Sequence, residues 1–163
     1  MKKIISIIFV AVWMIVVFYF SSQGGQSSTS SSKRVANVVV NIININGKMD
    51  NIEKQKLVDK IDPYIRKLAH YTIYIIGGIL ITNAIYAYMT IEQRVISKSL
   101  IIGILYAISD EIHQLFVPGR SGKVTDVIID SLGILTGIVF FLIVEKTVKQ
   151  IRKNIKGGNI SEY

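Results

Sequence analysis

Residues 4–20 form an apolar run in which only Ser6 is polar, and three further apolar runs follow later in the chain. No other feature constrains folding as strongly. At about 1.5 Å per helical residue the first run spans roughly 26 Å, close to the ~30 Å hydrocarbon core of a bilayer. A backbone in that medium has to satisfy its own hydrogen bonds, which leaves helices and closed barrels as spanning structures. Continuous rather than alternating apolar runs point to helices. A mean hydropathy of +0.46 over 163 residues, half of them hydrophobic, fits a single polytopic membrane domain over residues 1–163. Lys2-Lys3 ahead of the first run would also suit a secretory signal. The run is too long for one, however, and Phe18-Tyr19-Phe20 stands where a small-x-small cleavage site belongs, so a retained first helix with an aromatic interfacial end is expected.

Taken in order, Ser21 to Ser32 has the composition of a flexible polar linker. Val35, Val38, Val39, Ile42 and Ile43, then Ile52, Leu57, Val58 and Ile61, recur at helical spacing and predict two short amphipathic helices within a loop over 21–65. Asp62-Pro63 is expected to break that pattern before a second span at about 68–89. The tyrosines of that span, Tyr71, Tyr74, Tyr86 and Tyr88, suit an aromatic belt, and Gly77-Gly78 suits close helix packing. A polar loop from Thr90 to Lys98 precedes a third span at about 99–117, ended by Pro118-Gly119. The fourth, at about 124–144, carries Gly133 and Gly137 as a small-xxx-small face, and 145–163 is a basic tail. The predicted fold is all-α, a bundle of four transmembrane helices with a helical extracytoplasmic loop between the first two.

The net charge of +8 would raise nucleic acid in a soluble protein. Here the basic residues flank apolar runs, so anionic lipid headgroups account for them and nucleic acid is set aside. The absence of cysteine excludes disulfides and thiol chemistry. Lysines and arginines beside the spans place both termini on the cytoplasmic side, with the 21–65 loop and the Pro-Gly-Arg turn outside.

Charged groups near the third and fourth spans point to chemistry. Asp110, Glu111, His113 and Gln114 precede Pro118-Gly119-Arg120, and Asp126 and Asp130 open the next apolar run. Placing such a charge at a helix centre costs roughly 2.5–3.5 kcal/mol, so each is a functional candidate. Helical spacing puts Asp110, His113 and Gln114 on one face, with Glu111 about 100° away, and puts Asp126 and Asp130 on the face of Gly133 and Gly137. His70, about one turn after Arg66, reaches similar depth. The expected result is an outward-facing polar pocket. Its acids could pair with Arg66 and Arg120 and fix helix register, bind a cation, or hold a proton at raised pKa. Gly122-Lys123 does not complete a phosphate-binding loop, because Val117 and Val124 stand where that motif needs Gly and Ser or Thr. His-Glu-x-x-His and Gly-x-Ser-x-Gly are both missing. An intramembrane aspartyl protease would rest on Asp110 and Asp130 alone.

Phe20-Ser21-Ser22-Gln23, Arg66-Lys67-x-Ala69-His70-x-x-x-Tyr74, Asp110-Glu111-x-x-Gln114-x-Phe116-x-Pro118-Gly119-Arg120, and Asp126 with Asp130-x-x-Gly133-x-x-x-Gly137 together resemble the VanZ-like family over nearly the whole chain. Many relatives carry Asn where this chain has Asp130 and Glu where it has Ile73. The family comprises small bacterial membrane proteins named for a factor giving low-level resistance to teicoplanin and related glycopeptides. The resemblance implies a motif, rather than a mere linker, at Ser21, Ser22 and Gln23. The leading expectation is a bacterial cell-membrane protein whose outward pocket binds or modifies a lipid-linked or surface polymer intermediate. Asp110 and Glu111 would be acid-base or metal-binding groups and His70 a proton shuttle, while Ser22, Gln23, Arg66, Gln114, Arg120, Asp126 and Asp130 would contact the ligand. The residues specify no cofactor, although the acidic cluster could bind a divalent cation. The alternatives are a non-catalytic scaffold or partner-binding module, whose polar layer only locks the helices, and a proton-coupled carrier drawing on the same acids.

Overall fold

The computed structural model describes residues 2–44, 47, 49–89 and 91–158. Thr90, which heads the expected loop, and residues 159–163 of the expected tail lie outside the described residues. The described chain is all-helical: α1 (Lys2–Ser21), α2 (Gly25–Ile43), α3 (Asn51–Tyr86), α4 (Glu92–Gln114) and α5 (Val124–Gly158). α1, α3 and α5 are long and apolar enough to cross a membrane. α4, expected as the third span, is not among them. Glu92, Arg94 and Lys98 near its start and Asp110-Glu111 near its end leave no sufficiently apolar stretch. Large apolar side chains such as Phe9, Ile15, Leu105 and Phe140 face outward, which suits lipid tails rather than water.

α3 is the central element, packing on each of the other four helices. Its 36 residues run through Pro63, where a break was expected, so the second predicted amphipathic helix is the first half of a helix about 54 Å long. That helix opens with a capping box: the Glu53 amide donates to Asp50 Oδ1 at 2.7 Å, and the Asp50 amide to Glu53 Oε2 at 3.1 Å. Tertiary contacts hold the turn at Pro63 against its low helix propensity. Ser32 of α2 hydrogen-bonds Asp62, and Arg66 reaches both Asp62 and Thr29. Below them Ala36 and Val40 of α2 bury against Val58.

The serine-rich segment is correspondingly helical rather than a linker. Ser30 satisfies its hydroxyl on the Ser27 carbonyl three residues back, a local bond that lets serine sit inside a helix, while Ser32 turns its single proton to Asp62. Burying Ser32, Ala36 and Val40 at four-residue steps gives α2 one inward stripe. The expected polar loop at 90–98 is likewise shortened, because α4 begins at Glu92 and ends at Gln114, three residues before the anticipated limit. α5 continues past Val144 through most of the basic segment.

Glycines bring backbones together where helices cross. A Cβ at Gly137 would lie 2.2 Å from the Ile75 carbonyl oxygen, at Gly133 2.6 Å from that of Tyr71, and at Gly78 2.3 Å from that of Ile134. α3 and α5 therefore touch backbone to backbone along the predicted small-residue face. Trp13 lies flat enough against Gly77 to leave no room for a side chain there, and its Nε1 donates to the Ile73 carbonyl at 2.9 Å. Tyr74, expected in an interfacial belt, is instead a core residue, edge-on to Trp13 with ring centroids 5.7 Å apart. At one end of the molecule Lys3 sits over the Tyr88 ring and Lys146 pairs with Glu92 at 2.8 Å. Residues 20–25 and 118–120 meet at the other.

Gly137→Ala should lower the thermal midpoint of the detergent-solubilised protein by the equivalent of about 1–3 kcal/mol, the usual cost of overpacking. Gly24→Ala, whose Cβ would meet nothing nearer than 3.5 Å, should leave it nearly unchanged. Size-exclusion profiles after a temperature series would compare the two.

Candidate functional site

The last turns of α4 bury Asp110, Glu111 and Gln114 together, since residues three and four apart share a helix face. The Gln114 amide, Nε2, donates to Asp110 Oδ2 and to Glu111 Oε1, each at 3.1 Å. Glu111 Oε2 accepts the Lys123 backbone N–H at 2.9 Å. One neutral amide thus holds two carboxylates side by side, and the turn after α4 secures the second. Glu111 was expected to point away and His113 to join the cluster. The reverse holds: His113 stacks on Phe18 with centroids 4.4 Å apart and meets Ser22 Oγ at 3.1 Å, nearer the surface.

Pro118-Gly119-Arg120 hooks back onto the α1–α2 corner. Gly119 has φ +72°, a left-handed conformation suited to glycine, and the Gly25 amide donates to the Pro118 carbonyl at 3.1 Å. A Cβ at Gly25 would lie 1.8 Å from the Gly119 oxygen, so this crossing also demands a bare backbone. The Arg120 guanidinium donates from Nη2 to the Phe20 carbonyl at 3.0 Å, from Nε to that of Gln23 at 3.1 Å, and from Nη1 to Gln114 Oε1 at 3.4 Å. Phe20 lies in the last turn of α1, where carbonyls lack helical partners. Burial, and after it the nearby Arg66 charge, pull Arg120 below its ordinary pKa, yet an arginine starts so far above neutrality that it stays a cation. Among the described residues it makes no ion pair.

On the facing helices, Asp130 of α5 is fully buried, with Oδ1 3.6 Å from His70 Nδ1 of α3. That is an ion-pair distance, too long for a hydrogen bond. Neither Asp130 oxygen, nor His70 Nδ1, Asp110 Oδ1 or the Tyr74 hydroxyl, has a hydrogen-bond partner among the described residues. Such groups call for an explanation, because buried polar atoms are almost always paired. His70, Glu111 and Asp130 each offer a ligating atom within 4.8 Å of the others and, among the described residues, are the group that could hold a metal ion.

Two cavities flank this layer and share Arg66, His70, Gln114 and Arg120 as a common wall. The larger, about 340 Å³, sets those groups and Asp110 against Val17, Phe20, Val35, Ile65 and Ile73. The second, about 310 Å³, is bounded by Lys67, Lys123 and Asp126.

Of the residues singled out from the sequence, His70, Arg66, Asp110, Glu111, Gln114, Arg120 and Asp130 converge. Gln23 joins them through its carbonyl oxygen. Ser22 and Asp126 stand apart, Ser22 on His113 and Asp126 on the rim of the second cavity. Two participants were not anticipated, Asp62, which anchors Arg66, and the Lys123 amide; Ser21, read as part of a motif, is buried in the cavity wall. Asp62 precedes Arg66 by four residues, a spacing that signals an ion pair once the helix is known to continue through Pro63.

Arg120→Lys should loosen the corner, since one ammonium cannot serve three acceptors that diverge around a planar fork. The expected loss is about 1–3 kcal/mol, with faster proteolytic cleavage near residues 21–24 and 118–123 than in the wild type under matched conditions.

A sequence model of the VanZ/LLP1 family matches residues 6–145, from the first turns of α1 into α5, and includes every residue of the polar layer. No curated protein and no solved structure matches the chain. Matched over nearly its whole length, the chain belongs to the VanZ/LLP1 family.

Proposed function

We propose that this protein is a multi-pass protein of the bacterial cell membrane whose cavity binds a lipid-linked envelope intermediate through its phosphate groups, lowering susceptibility to teicoplanin-type glycopeptides. The observation that carries the reading is the make-up of the larger cavity. Arg66 and Arg120 line it opposite apolar side chains, which suits a ligand with an anionic head and a hydrocarbon tail. Arg120 supports it further, because its partners are neutral carbonyl and amide oxygens and its charge is left to attract an anion. Asp110, Glu111 and His70 are the groups at hand for proton transfer if the ligand is modified as well as held.

In this reading both termini are cytoplasmic and the 20–25 and 118–123 corner faces outward, with α4 completing a fourth membrane-embedded helix. Lys3, Lys146 and Lys149 cluster at the opposite end, as the positive-inside tendency favours. A scaffold role is the second reading, favoured by the way Gln114 is shared among Asp110, Glu111 and Arg120, a network that could serve packing alone.

Teicoplanin susceptibility of a sensitive Gram-positive host separates the two. Cells producing wild type should be protected, and cells producing Asp110→Asn or Arg120→Ala at equal membrane abundance should be as susceptible as cells without the protein. Full protection by both variants would sink the binding role and leave the scaffold.

A further inference from the structure

We propose that His70, Glu111 and Asp130 form a site for one divalent transition-metal ion, Zn²⁺ in the first instance, held between α3, α5 and α4. The inference stands on these three side chains and does not depend on the ligand proposed above.

Charge balance is the first argument. Asp130 is wholly buried and Glu111 is 4% exposed, so two carboxylates share one small volume. Burying uncompensated charge costs several kcal/mol per ion, and among the described residues no arginine or lysine makes an ion pair with either acid; Asp130 has His70 at 3.6 Å, and Glu111 has no ion-pair partner. Two carboxylates neutralise one dication, and a neutral imidazole adds a ligand without adding charge.

Geometry is the second. The three ligating atoms lie within 4.8 Å of one another, and His70 Nδ1 and Asp130 Oδ1 are 3.6 Å apart. A tetrahedral ion at about 2.0–2.2 Å from each donor needs donor separations of roughly 3.3–3.6 Å, so modest side-chain rotation closes the set. Among the described residues both Asp130 oxygens and His70 Nδ1 have no hydrogen-bond partner, which leaves them available as ligands. Glu111 is held by the Gln114 amide on Oε1 and the Lys123 N–H on Oε2, the kind of outer support that orients metal-binding carboxylates, and each oxygen keeps a second lone pair for an ion.

The donor set selects the ion. Ca²⁺ takes six to eight oxygens, and Mg²⁺ prefers oxygen and retained water. One imidazole and two carboxylates suit Zn²⁺ or a neighbouring transition metal, and three protein ligands leave a coordination position open. His70 also lines both cavities, whereas Glu111 and Asp130 line neither, so His70 is the ligand that connects the proposed metal site to the cavity wall.

The test uses the full chain, purified in detergent through a tag without histidine, stripped with EDTA and dialysed against Zn²⁺ or Co²⁺. Elemental analysis should find one equivalent of zinc. The cobalt form should show the visible absorption of a low-coordinate nitrogen-oxygen site, and excess Mg²⁺ or Ca²⁺ should displace neither ion. Asp130→Asn and Glu111→Gln should each weaken binding by about 10- to 100-fold or more. His113→Ala removes the chain's other histidine and should bind as wild type. A wild type without a stoichiometric ion and without the cobalt spectrum overturns the proposal. So does an ion retained by both carboxylate variants. If Asp130→Asn aggregates, Glu111→Gln and the wild-type spectrum decide the matter.

Discussion

The structure depends on the backbone contact between α3 and α5. Gly133 and Gly137 lie against the carbonyls of Tyr71 and Ile75, and Gly78 lies against that of Ile134. In a bilayer the hydrophobic effect does little to draw helices together, so close van der Waals approach has to hold them. The contact also sets register. Tyr71 follows His70 directly and Asp130 precedes Gly133 by three residues, so seating Gly133 on Tyr71 brings Asp130 opposite His70. A larger side chain at Gly133 would separate the two helices and the two titratable groups together.

A second constraint follows from the polar groups that this approach buries. In a low-dielectric interior an unpaired donor or acceptor is costly, and Gln114 and Arg120 distribute their hydrogen bonds accordingly. Gln114 joins the two α4 acids, while Arg120 ties that amide to carbonyls at Phe20 and Gln23. The α1–α2 corner is thereby tied down beside the cavity by a side chain whose charge has no ion-pair partner among the described residues. Fold and site share their parts, which is why stability has to be measured beside every functional readout.

The chemical character of the layer comes from its two kinds of charge. Arg66 and Arg120 line both cavities, Asp110 lines the larger and Asp126 the second, while Glu111 and Asp130 are buried between helices outside both linings. The proposed phosphate ligand would draw on the arginines and the proposed metal ion on Glu111 and Asp130, and His70 belongs to both neighbourhoods. Asp62 has a different part: held by Ser32 and Arg66, it docks α2 onto α3.

By itself the sequence determined the medium, the helical class and the polar stretch. Apolar runs of bilayer length and a charged turn between them are local properties, written in consecutive residues. The glycines at 133 and 137 were legible for the same reason, since four-residue spacing is a property of one helix. Three features were decided only by tertiary structure. Pro63 reads as a breaker because propensity counts one residue, whereas contacts from Thr29 and Ser32 on another helix hold its turn. Glu111 and His113 exchange places because which side of α4 is buried depends on where Lys123 and Phe18 lie, and both come from other elements. The trio of His70, Glu111 and Asp130 spans three helices, so no spacing along the chain could announce it: ligand sets of that kind exist only once the helices have packed.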